Sequence, residues 1–276
     1  MEKTIDNRRF GPWALITGAS SGIGKEFARQ IAASGINLLL VARREDVLRE
    51  VGAKLTGDFG IGHRVLALDL TEDNFIRKLA PAADDLDIGL VVSNAGTAQP
   101  GEFLAKKRDE LLGLLRLNTL AHLEIAHYFC PRLSARKSGG LLFVGAMRSE
   151  IGIPYMANEA ASKAYVQSFA QALHFELKPL GVHVTVLPPG PTETPVLAKF
   201  GLSLETMPMK PMKVEQCVAE GLQALYLNRS LMIPGRLNRI MNAVVPAFVV
   251  RRLTASTFKK TLANNLVKPQ SPKESR

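Results

Sequence analysis

The chain has 276 residues, of which 46% are hydrophobic and 6% aromatic, and its formal net charge is +10. This length suffices for one large α/β domain, and two isolated cysteines, Cys130 and Cys217, exclude a disulfide framework or a structural metal site and fit a reducing compartment. The basic residues are scattered without interleaved aromatic residues, so we expect no nucleic-acid partner.

Short apolar runs alternate with amphipathic segments along most of the chain, as expected for buried parallel strands joined by helices. The predicted strands are 13–17, 36–42, 63–68, 88–93, 140–144 and 182–187, with a weak seventh at 231–233. The predicted helices are 24–34, 45–55, 73–80, 109–135, 158–178 and 214–227. This pattern predicts a Rossmann-like, doubly wound parallel sheet of about seven strands in a three-layer α/β/α domain.

The C-terminal part has a different composition, so we divide the chain into a Rossmann-fold domain at 1–228, a basic amphipathic extension at 229–267 and a disordered tail at 268–276. Residues 229–252 mix apolar side chains with five arginines and two prolines. This segment fits a packed extension, a flap over the active site, a dimer contact or a membrane-surface contact. Residues 1–10 lack the apolar region of a signal peptide, and no run reaches about 18 apolar residues, so we expect a cytoplasmic protein, with peripheral membrane contact as an alternative.

Residues 17–24, TGASSGIG, follow the first predicted strand and open the first helix. Gly18 permits a tight turn, Gly22 lets the backbone approach a pyrophosphate, and Gly24 lets the helix lie close to the sheet. The helix N-terminus offers unpaired N–H groups and a partial positive charge to phosphates. This motif predicts a bound dinucleotide.

The end of the second strand predicts which dinucleotide is bound. An acid there would hold the ribose 2′-hydroxyl of NAD, but this chain has Ala42 followed by Arg43 and Arg44. A guanidinium pairs well with a 2′-phosphate. We therefore expect NADP(H) in preference to NAD(H).

The order of these motifs resembles the short-chain dehydrogenases/reductases over about residues 10–230. TGxxxGIG is that family's signature, Asn94-Ala95-Gly96 corresponds to its NNAG with Ser93 at the first position, and Ala161-Ser162-Lys163 matches the end of its YxASK. The resemblance implies cofactor contacts by Gly18, Ser20, Ser21, Ile23, Arg43, Asp69, Leu70, Asn94, Ala95, Gly96, Lys163, Pro189, Gly190 and Thr192. It also implies an Asn in the long central helix, here Asn118, that takes part in catalysis.

At two positions the sequence departs from the catalytic pattern that the resemblance implies. The family's Tyr precedes its Lys by four residues, which places both on one helix face, but four residues before Lys163 stands Glu159. The family's Ser aligns with Ala146, with Ser149 three residues later as an alternative. The candidate catalytic residues are therefore Glu159, Lys163, Asn118 and Arg148, with Ala146 at the Ser position.

The protonation state of Glu159 decides what chemistry it can perform. Lys163 nearby would keep it a carboxylate, acting as a base or ion-pair partner, whereas desolvation would make it an acid. Some plant relatives that resemble carbonyl reductases carry Glu at this position and reduce conjugated C=C bonds, which implies an ene-reductase as one option.

Three functions stay open at this stage: an NADP(H)-dependent reductase of a small apolar carbonyl or conjugated C=C substrate, a redox-neutral isomerase, lyase or cyclase with Glu159 as acid or base, and an inactive NADP(H)-binding relative. The apolar segment 194–212 is a candidate lid over the substrate. Related folds pair through their long helices, so we expect a homodimer or homotetramer.

Overall fold

A computed structural model describes residues 5–200 and 210–267. Its centre is a six-stranded parallel sheet with the order β3-β2-β1-β4-β5-β6. The strands are β1 (Trp13–Thr17), β2 (Asn37–Ala42), β3 (His63–Ala67), β4 (Ile88–Ser93), β5 (Gly140–Val144) and β6 (His183–Leu187). Because parallel strands are covered on both faces, their residues are apolar almost without interruption.

Helices cover both faces of the sheet and complete the predicted three-layer α/β/α fold. Within the described residues the helices are α1 (Asn7–Phe10), α2 (Gly22–Ala32), α3 (Glu45–Phe59), α4 (Ile76–Ala83), α5 (Arg108–Leu115), α6 (Ala121–Arg136), α7 (Ala157–Leu177), α8 (Val214–Tyr226), α9 (Arg236–Val244) and α10 (Ala247–Val267). One core packs α2, α3 and α8 against the sheet, and the other packs α4, α6 and α7. Alternate residues of each strand belong to opposite cores, so the sheet is buried on both sides.

The predicted seventh strand at 231–233 is wrong. Leu231 forms only an isolated parallel bridge to Val186, held by the bonds from Val186 N to Ser230 O and from Met232 N to Val186 O. Pro234 follows and has no N–H to continue a ladder. The segment therefore stops at the sheet edge, and the count is six strands.

The long helix predicted at 109–135 is present, but it contains a π-helical turn that the sequence pattern did not predict. A π-helical turn at Arg116–Leu120 separates α5 from α6, and Asn118 lies within that turn. Such turns insert a residue into a helix and occur often at functional sites. The basic extension forms α9 and α10, whereas residues 268–276 lie outside the described residues, and the domain boundary at 228 stays a prediction.

The strand order reverses between β1 and β4, so the loops after these two strands diverge and leave a crevice at their carboxyl ends. The polar residues that the sequence singled out follow these strands and their neighbours. In the part of the chain that the structure describes, no helix combines the length and the apolar character needed to span a bilayer.

Candidate active site

The glycine-rich turn between β1 and α2 is shaped to let a ligand approach the backbone. Gly18 and Gly22 have positive φ angles of 69° and 54°, a region that favours glycine. A Cβ added at Gly24 would lie 2.3 Å from the carbonyl oxygen of Gly18, so only glycine lets α2 begin this close to the turn. The α2 N-cap, Ser21, makes no side-chain capping bond, which leaves the first N–H groups of α2 available to an anion.

Asn94 clamps the end of β4 to this turn. Its Nδ2 donates to Thr17 O at 2.9 Å, and the backbone N–H groups of Asn94 and Ala95 donate to Thr17 Oγ1 at 2.9 and 3.0 Å. The Asn94 amide also lies where a side chain on Gly18 or Gly24 would fall. Asn94 therefore fixes the two loops of the crevice relative to each other, a role that the predicted cofactor contact did not include.

Two exposed arginines follow β2 at the same edge of the sheet. Arg44 donates from its guanidinium to Ser20 Oγ at 3.4 Å, which brings it to the glycine-rich turn, and Arg43 is exposed beside it. At the end of β3, Asp69 Oδ1 accepts bonds from the backbone N–H and the hydroxyl of Thr71, and Leu70 is buried. The predicted adenine and ribose contacts thus gather at the ends of β1, β2 and β3.

The π-turn brings Asn118 to the loop after β4. Its Oδ1 accepts from Thr97 N at 2.9 Å, and its Nδ2 donates to Thr97 O at 3.0 Å and to Ser162 Oγ at 3.2 Å. Asn118 is fully buried, and its bond to Ser162 is buried with it. They join α7 to the loop that carries Gly96.

Lys163 and Glu159 lie one turn apart on α7, and both are buried. Lys163 Nζ donates to Val144 O at the end of β5 at 2.8 Å, and Glu159 Oε2 accepts from Gln99 N at 3.3 Å. A Cβ at Gly96 would lie 3.1 Å from Lys163 Nζ, so this glycine keeps the space in front of the ammonium open. The helix thus carries a cation and a carboxylate into the crevice.

Burial lowers the pKa of Lys163 to about 8, and the negative charge of Glu159 opposes this change. Desolvation disfavours the charged ammonium, whereas a neighbouring carboxylate favours it. A pKa of about 8 makes Lys163 able to release a proton near neutral pH, which a solvated lysine does not do. The arrangement can therefore perform acid and base chemistry without a tyrosine.

His122 is a buried residue near Lys163 that was not among the candidate residues from the sequence. Ser93 Oγ and His122 Nδ1 are 2.6 Å apart, and burial, followed by the positive charge of Lys163, holds the pKa of His122 well below its ordinary value. A neutral imidazole adds no second positive charge beside Lys163. The replacement of Asn by Ser93 in the NNAG-like motif was the only sequence signal for this pair.

The loop after β5 contains Ala146 and Arg148. Gln167, one turn beyond Lys163 on α7, donates to Ala146 O at 2.9 Å and also to Ser149 Oγ, which ties that hydroxyl to the loop. The guanidinium of Arg148 donates to Met241 O at 2.9 Å and to Val245 O. These two hydrogen bonds of Arg148 anchor the end of α9, and neither is made to another predicted catalytic residue.

The loop after β6 lies against the same region. Met147 N donates to Pro189 O at 3.0 Å, and the buried Thr192 donates from its hydroxyl to Gly190 O at 2.9 Å. Asn238 packs against Gly190, since a Cβ added there would meet the Asn238 amide at 3.0 Å. Part of the predicted lid at 194–212 lies outside the described residues, because these omit 201–209.

A cleft of about 490 Å³ lies beside the start of α7. It is bounded by Gln99, whose N–H is bonded to Glu159, and by Asn158, which precedes Glu159. The rest of its wall is largely apolar and consists of Gly101, Glu102, Phe103, Leu104, Lys106, Leu111, Pro154, Tyr155, Met156 and Ala157. Its size and lining are typical of small-molecule sites.

A parallel sheet with its crevice at the β1–β4 reversal and a glycine-rich first turn define the class of Rossmann-fold dinucleotide-binding proteins. Within this class, the short chain dehydrogenase family matches residues 12–203. The chain therefore belongs to the short-chain dehydrogenases, a family of oxidoreductases.

Three similar proteins illustrate the range of the family. A very-long-chain 3-oxoacyl-CoA reductase from Podospora anserina is 37% identical over 179 residues, which cover 63% of this chain and 53% of the relative. The chain thus spans about half the length of that curated relative. A short-chain dehydrogenase from Sphingobium yanoikuyae in complex with NADPH superimposes with a TM-score of 0.77 at 28% identity, covering 96% of this chain and 100% of that one. A bulky-bulky ketone specific alcohol dehydrogenase from Comamonas testosteroni gives 0.71 at 25% identity, with coverages of 96% and 97%.

Proposed function

We propose that this protein is an NADPH-dependent reductase of an apolar carbonyl compound, acting on the C=O group or on a C=C bond conjugated to it. The observation that carries the proposal is the buried Glu159–Lys163 pair, which lies beside the cofactor crevice on α7. In this proposal Glu159 stands where the family has Tyr, and Ala146 where it has Ser. The names of the relatives, a 3-oxoacyl-CoA reductase and a ketone-specific dehydrogenase, agree with a carbonyl substrate.

The cofactor residues fit a phosphorylated dinucleotide. Gly18 and Gly22 leave the backbone open at the α2 N-terminus for the pyrophosphate, and Gly96 keeps space beside Lys163. Arg43 and Arg44 offer two guanidinium groups to a 2′-phosphate at the end of β2. When bound, NADPH supplies the hydride that reduces the substrate.

The chain's own residues supply the proton that accompanies this hydride. Glu159 and Lys163 act as one proton donor: the Lys163 ammonium passes its proton to the Glu159 carboxylate, which delivers it to the carbonyl oxygen or to the α-carbon and leaves Lys163 neutral. The pair regains its proton from water after turnover. Asn118 positions Ser162 and the loop that follows β4. The apolar cleft wall around Phe103 and Tyr155 excludes water from the substrate.

The direct test mixes the purified protein with NADPH or NADH and a panel of apolar ketones, 3-oxoacyl thioesters, enones and saturated controls. We expect NADPH oxidation with one bond class, and product analysis identifies the C=O or C=C bond. Tight NADPH binding without turnover of any compound would favour redox-neutral catalysis or a binding role and refute the reductase. Absence of NADPH binding would refute the cofactor assignment as well.

Arg43→Ala should lower the affinity for NADPH by about 10- to 100-fold, because a charged hydrogen bond to the 2′-phosphate is lost. The affinity for NADH, which has no such phosphate, should stay within about twofold, and calorimetric titration measures both. Arg77→Ala removes another exposed arginine, on α4, and serves as the control. Equal losses for the two cofactors would refute 2′-phosphate recognition by Arg43.

Turnover should fall as the pH rises through about 8, because the Lys163 ammonium loses its proton there. Below that pH the lysine is protonated and can reload Glu159, so the active form lies on the acid side. In Lys163→Arg the guanidinium stays charged, and the fall near pH 8 should disappear at a lower overall rate. The pH profile of kcat measures this, and a fall near pH 8 that persists in the Arg variant would assign it to another group.

We also propose that the protein forms a homodimer or homotetramer through α5 to α7. Leu112, Leu120, Tyr165 and Phe175 are large apolar side chains of this region that are exposed in the single chain. Such exposure on long neighbouring helices is typical of an interface. Light scattering of the purified protein gives the mass, and a monomer would refute this proposal without affecting the chemistry.

A further inference from the structure

Helix α9 exposes its apolar side chains to solvent and turns its polar side chains toward the protein, which is the reverse of an ordinary surface helix. Leu237, Ile240 and Val244 recur at helical spacing and form one stripe, yet they are 59%, 57% and 72% exposed. The side facing the protein is polar: Asn238 is buried with its amide bonded to Pro234 O, and Arg239 pairs with Glu220 at 2.7 Å. The protein thus holds α9 by polar bonds and directs its apolar stripe outward.

Helix α10 continues this surface. Phe248 is 69% exposed and Leu253 is 61% exposed, and Arg251 and Arg252 lie between them in the sequence. Arg251 donates to Ile151 O at 2.7 Å, which fixes the start of α10 against the loop after β5. We call the exposed apolar and basic side chains of α9 and α10 the C-terminal surface.

The charge of this region is one-sided. Residues 221–273 contain no Asp or Glu, whereas residues 229–267 contain seven Lys and Arg residues. This segment therefore accounts for +7 of the chain's net charge of +10. Arg236, Arg252 and Lys259 are exposed on the same helices as the apolar stripe.

Apolar side chains interspersed with cations are complementary to an anionic lipid bilayer, where the former enter the acyl boundary and the latter meet phosphates. A second copy fits less well, because a twofold contact would bring two surfaces of the same positive charge together. Nucleic acid would satisfy the cations but leave Leu237, Ile240, Val244 and Phe248 without an apolar partner.

We propose that the C-terminal surface docks this protein onto anionic lipid bilayers. The docked helices border the active site: Phe258 of α10 is buried against Tyr155 of the cleft wall, with ring centroids 6.1 Å apart, and Arg148 holds the end of α9. Docking therefore brings the cleft close to the lipid boundary, where apolar substrates concentrate.

The test is co-sedimentation of the full chain, without cofactor, with vesicles of phosphatidylcholine alone or of phosphatidylcholine mixed with the anionic lipid phosphatidylglycerol. We expect binding only to the anionic vesicles, weakened by salt. Leu237→Ser combined with Ile240→Ser, and separately Arg236→Glu combined with Arg252→Glu, should each lower the partition coefficient about tenfold or more.

The matched controls change exposed residues that lie outside α9 and α10. Phe59→Ser with Leu180→Ser controls for lost apolar area, and Arg77→Glu with Lys178→Glu controls for charge reversal. The proposal would be overturned if both targeted pairs bound like the wild type, or if the wild type did not bind.

A targeted pair that changes the oligomer mass but not vesicle binding would assign the surface to a second copy. Unchanged binding by the serine pair, together with full competition by RNA, would assign the surface to a polyanion. Because no cofactor is present, a failed reductase assay leaves this test intact.

Discussion

Glu159→Gln is expected to lower kcat for substrate reduction by about 100- to 10,000-fold, the range typical of a lost general acid or base. The Gln amide keeps the size of the side chain but cannot deliver a proton. Because the Glu159 carboxylate contacts Gln99 in the loop after β4 and not the glycine-rich turn after β1, NADPH affinity should change by less than about threefold. Steady-state kinetics and calorimetric titration of NADPH separate the two effects.

Glu150→Gln is the matched control, since it makes the same change at an exposed residue of the neighbouring loop. Its kcat should equal that of the wild type. Full activity of Glu159→Gln would show that the carboxyl is not the proton donor. Lost NADPH affinity in this variant would instead indicate that Glu159 holds the site together.

A complementary gain-of-function variant tests whether the remaining scaffold is intact. Glu159→Tyr combined with Ala146→Ser restores the two side chains that the family resemblance implies for carbonyl reduction. If the turn around Gly18, Asn118 and Lys163 holds cofactor and substrate as proposed, ketone reduction should rise in this double variant. A properly folded, NADPH-binding double variant without ketone reduction would show that further residues of the cleft were altered.

Gly24→Ala is expected to have the second large effect. The added Cβ would lie 2.3 Å from Gly18 O and 2.5 Å from Asn94 Nδ2, and neither the backbone atom nor the clamped amide can move freely. α2 must shift away from the turn, which disturbs both the fold and the anion site. We expect about 2–4 kcal/mol of destabilisation and a loss of NADPH affinity of about 100-fold.

Gly57→Ala provides the control within the same domain. Gly57 lies in α3 with no atom within 4 Å of an added Cβ, so alanine meets no neighbour there. Its higher helix propensity should raise the free energy of unfolding by about 0.5–1 kcal/mol. Denaturant unfolding and NADPH titration of both variants measure the contrast. If Gly24→Ala matched Gly57→Ala in both the free energy of unfolding and the NADPH affinity, the tight turn would not require glycine at position 24.

The sequence predicted the strands more accurately than the helices. Runs such as Ile88–Ser93 are apolar throughout, because a strand of a parallel sheet is buried on both faces, and this signal is local. The prediction failed at 231–233, where only an isolated bridge forms. A strand needs successive backbone N–H donors to extend its ladder, and Pro234 has no N–H. The prediction of a helix at 109–135 missed the π-turn inside it, because the register of a π-turn depends on packing around Asn118 and is not encoded in the helical periodicity.

Candidate site residues divide in the same way. The spacing of Glu159 and Lys163 placed both on one face of α7, because helical geometry is local. Arg148 was a catalytic candidate from the sequence, yet its recorded bonds run to Met241 and Val245, nearly a hundred residues away. A local sequence pattern around Arg148 cannot reveal a hydrogen-bond partner that lies so far away in the sequence. The His122–Ser93 contact depends in the same way on the approach of two separate elements.

The sequence by itself determined the doubly wound fold, the glycine-rich turn at Gly18 to Gly24 and the placement of Glu159 one helical turn before Lys163, because each depends on residues close together in the chain. Only the tertiary structure decided that Lys163 is buried with a pKa near 8 and that the loop of Arg148 supports α9. It also decided that Leu237 and its neighbours face outward. Burial, desolvation and the direction of a helix face depend on which distant segments pack together, and a linear pattern does not specify that packing.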